Sequence, residues 1–223
     1  MSNFAPKEKR IIEIMPGPKA NKEAIFRSAF KTFLGADYGT VTIQDIEDGG
    51  NFTRGALFFY AKNKPAIFRL AMEIGLFERM RKDSELDLFI ENPKTLAEWV
   101  YFYAEWVEQP VRIIMEAKEC PKEEASRLFL RLLTAAGEVM PEFTERFKAM
   151  NEKVYEVFHA VIDRARKQGE VPSTTDIEQL TDEFMLTAWG CFVNAAVTRN
   201  GSFNLLYHLL CIYDSHKSQK NKS

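Results

Sequence analysis

Apolar residues along this chain recur at steps of three and four, and no period-two alternation is sustained, so helices are expected almost throughout. A first helix starts near Asn21, with Ala24, Ile25, Ser28, Ala29, Phe33 and Leu34 on one face. Thr42 caps a short second helix carrying Ile43 and Ile46, and Gly49-Gly50-Asn51 stops it within two turns. Thr53 caps a third, on which Ala56, Leu57 and Tyr60 share a side. Pro65 suits the first position of a fourth helix, which Ile67, Phe68, Leu70, Ala71, Ile74, Phe77 and Met80 carry toward Lys82. After residue 83 a helix opened by Pro93 and Thr95 holds Leu96, Trp99, Val100, Tyr103, Trp106 and Val107, and Pro110 closes it and begins a shorter one through Met115. Pro121 starts another, with Ala125, Leu128, Phe129, Leu132 and Leu133 on one face. A long helix runs from Pro141 through Phe143, Phe147, Val154, Phe158, Val161 and Ile162 to Gln168-Gly169. A loop over 170–175 with Pro172, helices over 176–198 and 202–215, and a polar Lys-rich tail complete the chain. The fold class this predicts is all-α: a three-helix N-terminal head followed by a larger antiparallel helical bundle.

Two short helices joined by a tight turn form a helix-turn-helix, whose second helix lies in the DNA major groove and offers its N-terminal end to base edges and phosphates. Thr53, Arg54, Phe58, Phe59 and Lys64 stand where such contacts are made. The run Asn51-Phe52-Thr53-Arg54-Gly55-Ala56-Leu57-Phe58-Phe59-Tyr60-Ala61-Lys62-Asn63-Lys64 resembles the tetracycline-repressor (TetR) family of one-component bacterial regulators. That family has a Thr-capped helix ending in Ala-Gly-Val-Ser, then Arg/Lys-Gly-Ala/Thr-Leu-Tyr-x-x-Phe-x-x-Lys. The resemblance covers about residues 21–70. This chain departs from the pattern at Asn51, in place of the turn glycine, and at Glu47, where a small alanine packs on the recognition helix. A carboxylate at that place must reach solvent or a cation. Phe58 replaces a phosphate-binding tyrosine, and Ala61 a core phenylalanine.

The resemblance implies a ligand-responsive regulator, a repressor released by a small hydrophobic or aromatic effector, that acts as a homodimer on a palindromic double-stranded operator. Its parts would be a flexible basic arm over 1–20, a DNA-binding head over 21–66, a ligand-binding and dimerisation domain over 67–216, and a polar tail over 217–223. DNA contact would fall to Thr42, Thr53, Arg54, Ala56, Phe58, Phe59 and Lys64. Phe77, Trp99, Phe102, Tyr103, Trp106, Phe129, Phe158 and Trp189 are candidates for a ligand pocket, although aromatics at helical spacing more often fill a core. In the last two helices Gly190, Ala195 and Ala196 permit close helix approach, and Phe184, Cys191, Ala195, Leu206 and Leu210 are the candidate dimer residues, against the alternative of a monomeric core. A competing class is a helical ligand-binding or protein-interaction module whose degenerate head no longer binds DNA; Glu47, Gly49-Gly50, Phe58 and Ala61 speak for it.

Composition changes this picture little. The net charge of the 223 residues is −2, but residues 1–64 carry ten Lys/Arg against seven Asp/Glu, net +3, leaving −5 for the remainder. Cys120, Cys191 and Cys211 are odd in number and widely spaced, and no signal peptide or membrane-spanning apolar run is present, so a reducing cytoplasm is expected. No hydrolase, P-loop or zinc motif occurs, and neither catalysis nor a cofactor is expected. Glu156 and His159 have the spacing of a di-iron bundle ligand pair, but no second Glu-x-x-His pair accompanies them, so no metal site is expected.

Overall fold

The computed structural model describes residues 18–50, 52–80, 84–92, 94–199 and 204–218. The expected arm before residue 18, Asn51, Lys82, Pro93 and the tail beyond 218 lie outside these. Among the described residues there are ten α-helices and no strand: α1 (Pro18–Gly35), α2 (Ile43–Gly50), α3 (Arg54–Tyr60), α4 (Lys64–Gly75), α5 (Ser84–Glu91), α6 (Leu96–Lys118), α7 (Lys122–Val139), α8 (Pro141–Gln168), α9 (Ile177–Thr198) and α10 (Leu205–His216).

The caps follow the local sequence. Oγ1 of Thr53 accepts from the Ala56 N–H, and Oδ1 of Asn63 does the same for Ala66 at the start of α4. Thr95 and Glu98 form a capping box on α6, and Gly169 ends α8 at φ 73°, a left-handed conformation that glycine adopts without strain. Pro141 opens α8, where its missing N–H costs nothing.

Several expectations are corrected. Ala24 is exposed, and Phe26 and Phe30 join Ile25, Ala29, Phe33 and Leu34 in the buried face of α1. The fourth helix does not run on toward Lys82. It ends at Gly75; Leu76 leaves helical geometry (φ −124°, ψ −66°), and Phe77–Arg79 form one 3-10 turn. A Cβ on Gly75 would lie 2.3 Å from the Phe30 ring, so α4 meets α1 at a distance that only glycine allows. Pro110 does not close a helix but lies inside α6. The proline removes one helical hydrogen bond. Arg112 donates to the Glu105 carbonyl at 2.9 Å in the turn before it, and burial of Val111, Ile113 and Ile114 holds the continuation in place. The short helix α5 was not anticipated; Leu86 and Phe89 anchor it on α8.

Two apolar cores result. One spans the head and its underside, joining Phe26, Phe33, Ile46, Leu57 and Phe68 to Ile113, Ile114, Leu128 and Phe129 of α6 and α7. The other lies between α5, α6, α8, α9 and α10, around Trp99, Phe158, Phe184 and Leu209. The boundary expected at 66/67 falls inside α4, which packs along α1. Two polar clasps close the far end. Arg164 donates to the carbonyls of Phe89, Ile90, Asn92 and Lys94, and Glu170 accepts from the N–H groups of Leu96 and Ala97 and from the Tyr213 hydroxyl.

Candidate nucleic-acid interface and ligand cavity

In the head, α2 is fixed by a reciprocal cap. The Thr42 N–H and hydroxyl donate to Oδ2 of Asp45 at 2.8 and 2.7 Å, and the Asp45 N–H returns a bond to Oγ1 of Thr42 at 3.1 Å. These bonds hold the Asp45 carboxyl below its usual range. The far end of α2 is pinned to α1, because the Ser28 hydroxyl donates to the Gly49 carbonyl at 2.9 Å and a Cβ on Gly49 would lie 2.7 Å from Oγ1 of Thr32. Leu57 sinks fully into the head core and Ala56 packs partly against it, which turns the opposite side of α3 outward.

That outward side carries Thr53, Arg54 and Phe59, with Phe59 78% exposed and edge-on to Tyr60. The Arg54 guanidinium lies 5.6 Å from the centre of the Phe58 ring. Lys64 is more engaged than the sequence implies. Its ammonium donates to the Gly39 carbonyl at 3.3 Å and lies 4.5 Å from the Tyr38 ring centre; burial lowers its pKa and the Asp45 charge opposes that. Glu47 is half-buried, and its Oε1 is buried with no partner among the described residues.

In the body a cavity of about 460 Å³ opens between the 3-10 turn and helices α6 to α9. Of the expected ligand residues, Phe77, Tyr103, Trp106, Phe129 and Trp189 line it. Trp99, Phe102 and Phe158 do not. They belong to a stack with Phe89 and Tyr103, in which Trp99 has no exposed surface. Composition hid other parts of the wall, Phe143 and Phe147 on α8 and Phe192 beside Trp189 on α9. Their i,i+4 and i,i+3 aromatic pairs were the available signal. Rings run around the cavity from Phe77 to Phe143 (6.0 Å between centres), Phe147 (5.7 Å), Trp189 (5.8 Å), Phe192 (6.5 Å) and Phe129 (6.0 Å). Burial pushes the Tyr103 phenol far above its ordinary value, so it stays a neutral hydroxyl. Ion pairs Arg69–Glu142 (2.6 Å) and Arg146–Glu73 (3.4 Å) tie α4 to the first turns of α8, beside the cavity mouth.

The expected dimer residues need revision. Phe184 is fully buried and stacked on Phe158, and Cys191 and Ala195 are also buried within the protomer. Burial pushes the Cys191 thiol up, in keeping with a small packed group. Leu206 and Leu210 are half-buried. The exposed apolar stripe is instead Leu186 (69%), Gly190, Val193 (47%) and Val197 (74%) on α9, with Tyr207 (61%) and Cys211 on α10. No group of three or more His, Cys, Asp or Glu suited to a metal occurs among the described residues, and no described helix is long and apolar enough to cross a membrane.

No protein-family model matches the chain. It is 24% identical over 194 residues to the HTH-type transcriptional repressor BepR of Brucella suis biovar 1 (strain 1330), covering 84% of this chain and 85% of that protein. A TetR-family transcriptional regulator from Cytophaga hutchinsonii superposes with a TM-score of 0.60 at 13% identity, over 93% of this chain and all (100%) of the other. SmeT in complex with triclosan gives 0.57 at 18% identity, over 89% and 92%. Helix order, the helix-turn-helix head and the cavity-bearing bundle together give this chain the all-α fold of the TetR-family regulators.

Proposed function

We propose that this protein is a homodimeric, ligand-responsive transcriptional repressor that binds a palindromic operator through α3 and releases it when a small hydrophobic or aromatic molecule enters the body cavity. The observation that carries the reading is the position of Phe77. It lines the cavity and opens the 3-10 turn that directly follows α4, the helix that leads from the head into the body. A ligand shifts an equilibrium only by binding one arrangement better than another, so an effector site must touch an element that moves with the head. The 3-10 turn after α4 meets that condition. BepR is named a repressor and SmeT was solved with triclosan, which supports both halves of the reading.

Thr42, Thr53, Arg54, Phe58 and Phe59 are the proposed DNA-facing residues, with Lys64 and the part-buried Ala56 at their edge. Two-fold symmetry comes from the α9–α10 stripe, where an isologous contact would cover Leu186, Val193, Val197 and Tyr207. Recovery of genomic fragments on the purified protein, followed by gel shift over a salt series, tests the reading. One sequence-specific, palindromic class of fragment is expected, with affinity falling steeply as salt rises. Phe58→Tyr restores a phosphate donor and is expected to tighten binding by about 0.5–1.5 kcal/mol. Recovery of no specific fragment at low salt would leave the degenerate-head class as the better account.

A further inference from the structure

The cavity wall is aromatic and aliphatic almost throughout, and its charge is confined to the rim. Glu78 is exposed, and Arg146, whose side chain is 62% exposed, lies over Phe77 and is paired with Glu73. No other Asp, Glu, Lys or Arg lines it among the described residues. Polar groups in the interior wall are few: the Tyr103 hydroxyl bonds to none of the described residues, Asn151 donates its Nδ2 to the Phe147 carbonyl, and the Trp106 indole N–H, although it has no partner, is buried away from the open space.

We propose that this cavity selects neutral two-ring aromatic molecules that carry a hydrogen-bond acceptor, and that it rejects organic cations of the same shape. The inference rests on the reading of the cavity as the effector site. An ammonium entering the ring-lined interior gives up its hydration and meets no carboxylate, and what the ring faces return is smaller than that loss. A carbonyl or ether oxygen, in contrast, meets the Tyr103 hydroxyl, which can donate to it and is otherwise left unmatched. At about 460 Å³ the space sits toward the lower end of the range for drug-sized ligands, which favours two rings over a larger polycycle.

Benzophenone, diphenylmethane and diphenylmethylammonium share one frame and differ in a single group: an acceptor, none, and a cation. Each is titrated by calorimetry into the full chain without DNA, with tryptophan fluorescence recorded alongside. Benzophenone is expected to bind about three- to tenfold tighter than diphenylmethane, and the ammonium roughly tenfold or more weaker than diphenylmethane. In Tyr103→Phe, which removes only a hydroxyl, the ratio of the first two affinities falls toward one, with near-ultraviolet circular dichroism to check that the variant is folded. An ammonium that binds as well as the hydrocarbon overturns the proposal, as does an acceptor that brings no advantage, or the failure of all three probes to bind. Binding in the expected order that leaves operator affinity unaltered supports this selectivity and refutes the effector reading instead.

Discussion

At the scale of single residues, the head is held by groups that sequence reading assigned to DNA. The Lys64 ammonium is committed to the Gly39 carbonyl and the Tyr38 ring, so it fastens the start of α4 to the α1–α2 loop. Thr42 is likewise engaged with Asp45. Because the Asp45 pKa is depressed from 3.8 by the hydrogen bonds from Thr42, its contribution to stability is complete above that value and is lost as pH falls through the folded-state pKa. Asp45→Asn is therefore expected to lower Tm at neutral pH, with the gap to the parent closing as the solution is acidified below pH about 4. A gap that stays constant down to pH about 2 would contradict this. At the opposite end, Arg164 satisfies four carbonyls around the close of α5. Urea unfolding of Arg164→Ala is expected to show a loss of about 2 kcal/mol, since its hydrogen bonds are charge-assisted. Arg164→Lys should recover only part of that, because an ammonium lacks the planar fork.

Among the elements, legibility tracked how much of the signal is local. Caps and stops such as Thr53, Pro141 and Gly169 act within a turn of themselves, and the boundaries they set for α3 and α8 match the structure. Pro110 was misread because its effect on α6 depends on distant partners that bury Val111, Ile113 and Ile114. The break after Gly75 was invisible for a related reason: Ile74, Phe77 and Met80 keep a three-residue step straight through it, while the close contact at Gly75 is with the Phe30 ring of α1. Part of the cavity wall was missed because Phe143, Phe147 and Phe192 lie on helices remote in sequence from Tyr103 and Trp106. Gly75→Ala tests the contact directly. The new methyl must displace the Phe30 ring, at an expected cost of about 1–3 kcal/mol for overpacking. Equilibrium denaturation reads that cost, and a neutral result would mean that the ring moves aside freely.

For the whole molecule, the α9–α10 stripe is the surface proposed for the two-fold contact. A charge at Val193 would be desolvated without a partner in a two-fold contact, so Val193→Asp is expected to give monomers by sedimentation at concentrations where the parent is dimeric. An unchanged dimer would move the interface elsewhere. The first apolar core has a different consequence. It passes without interruption from Phe26, Ile46 and Leu57 through Phe68 to Ile113, Leu128 and Phe129, so the underside of the head and the roof of the body are one surface. Calorimetry is accordingly expected to record a single heat-absorption peak; two separated peaks would show that the seam does not couple the parts. Modularity is what such a seam gives up. Transplanting these first helices onto a foreign bundle would carry along an uncovered greasy face, so exchanging operator preference between relatives requires exchanging the matching ends of α6 and α7 as well.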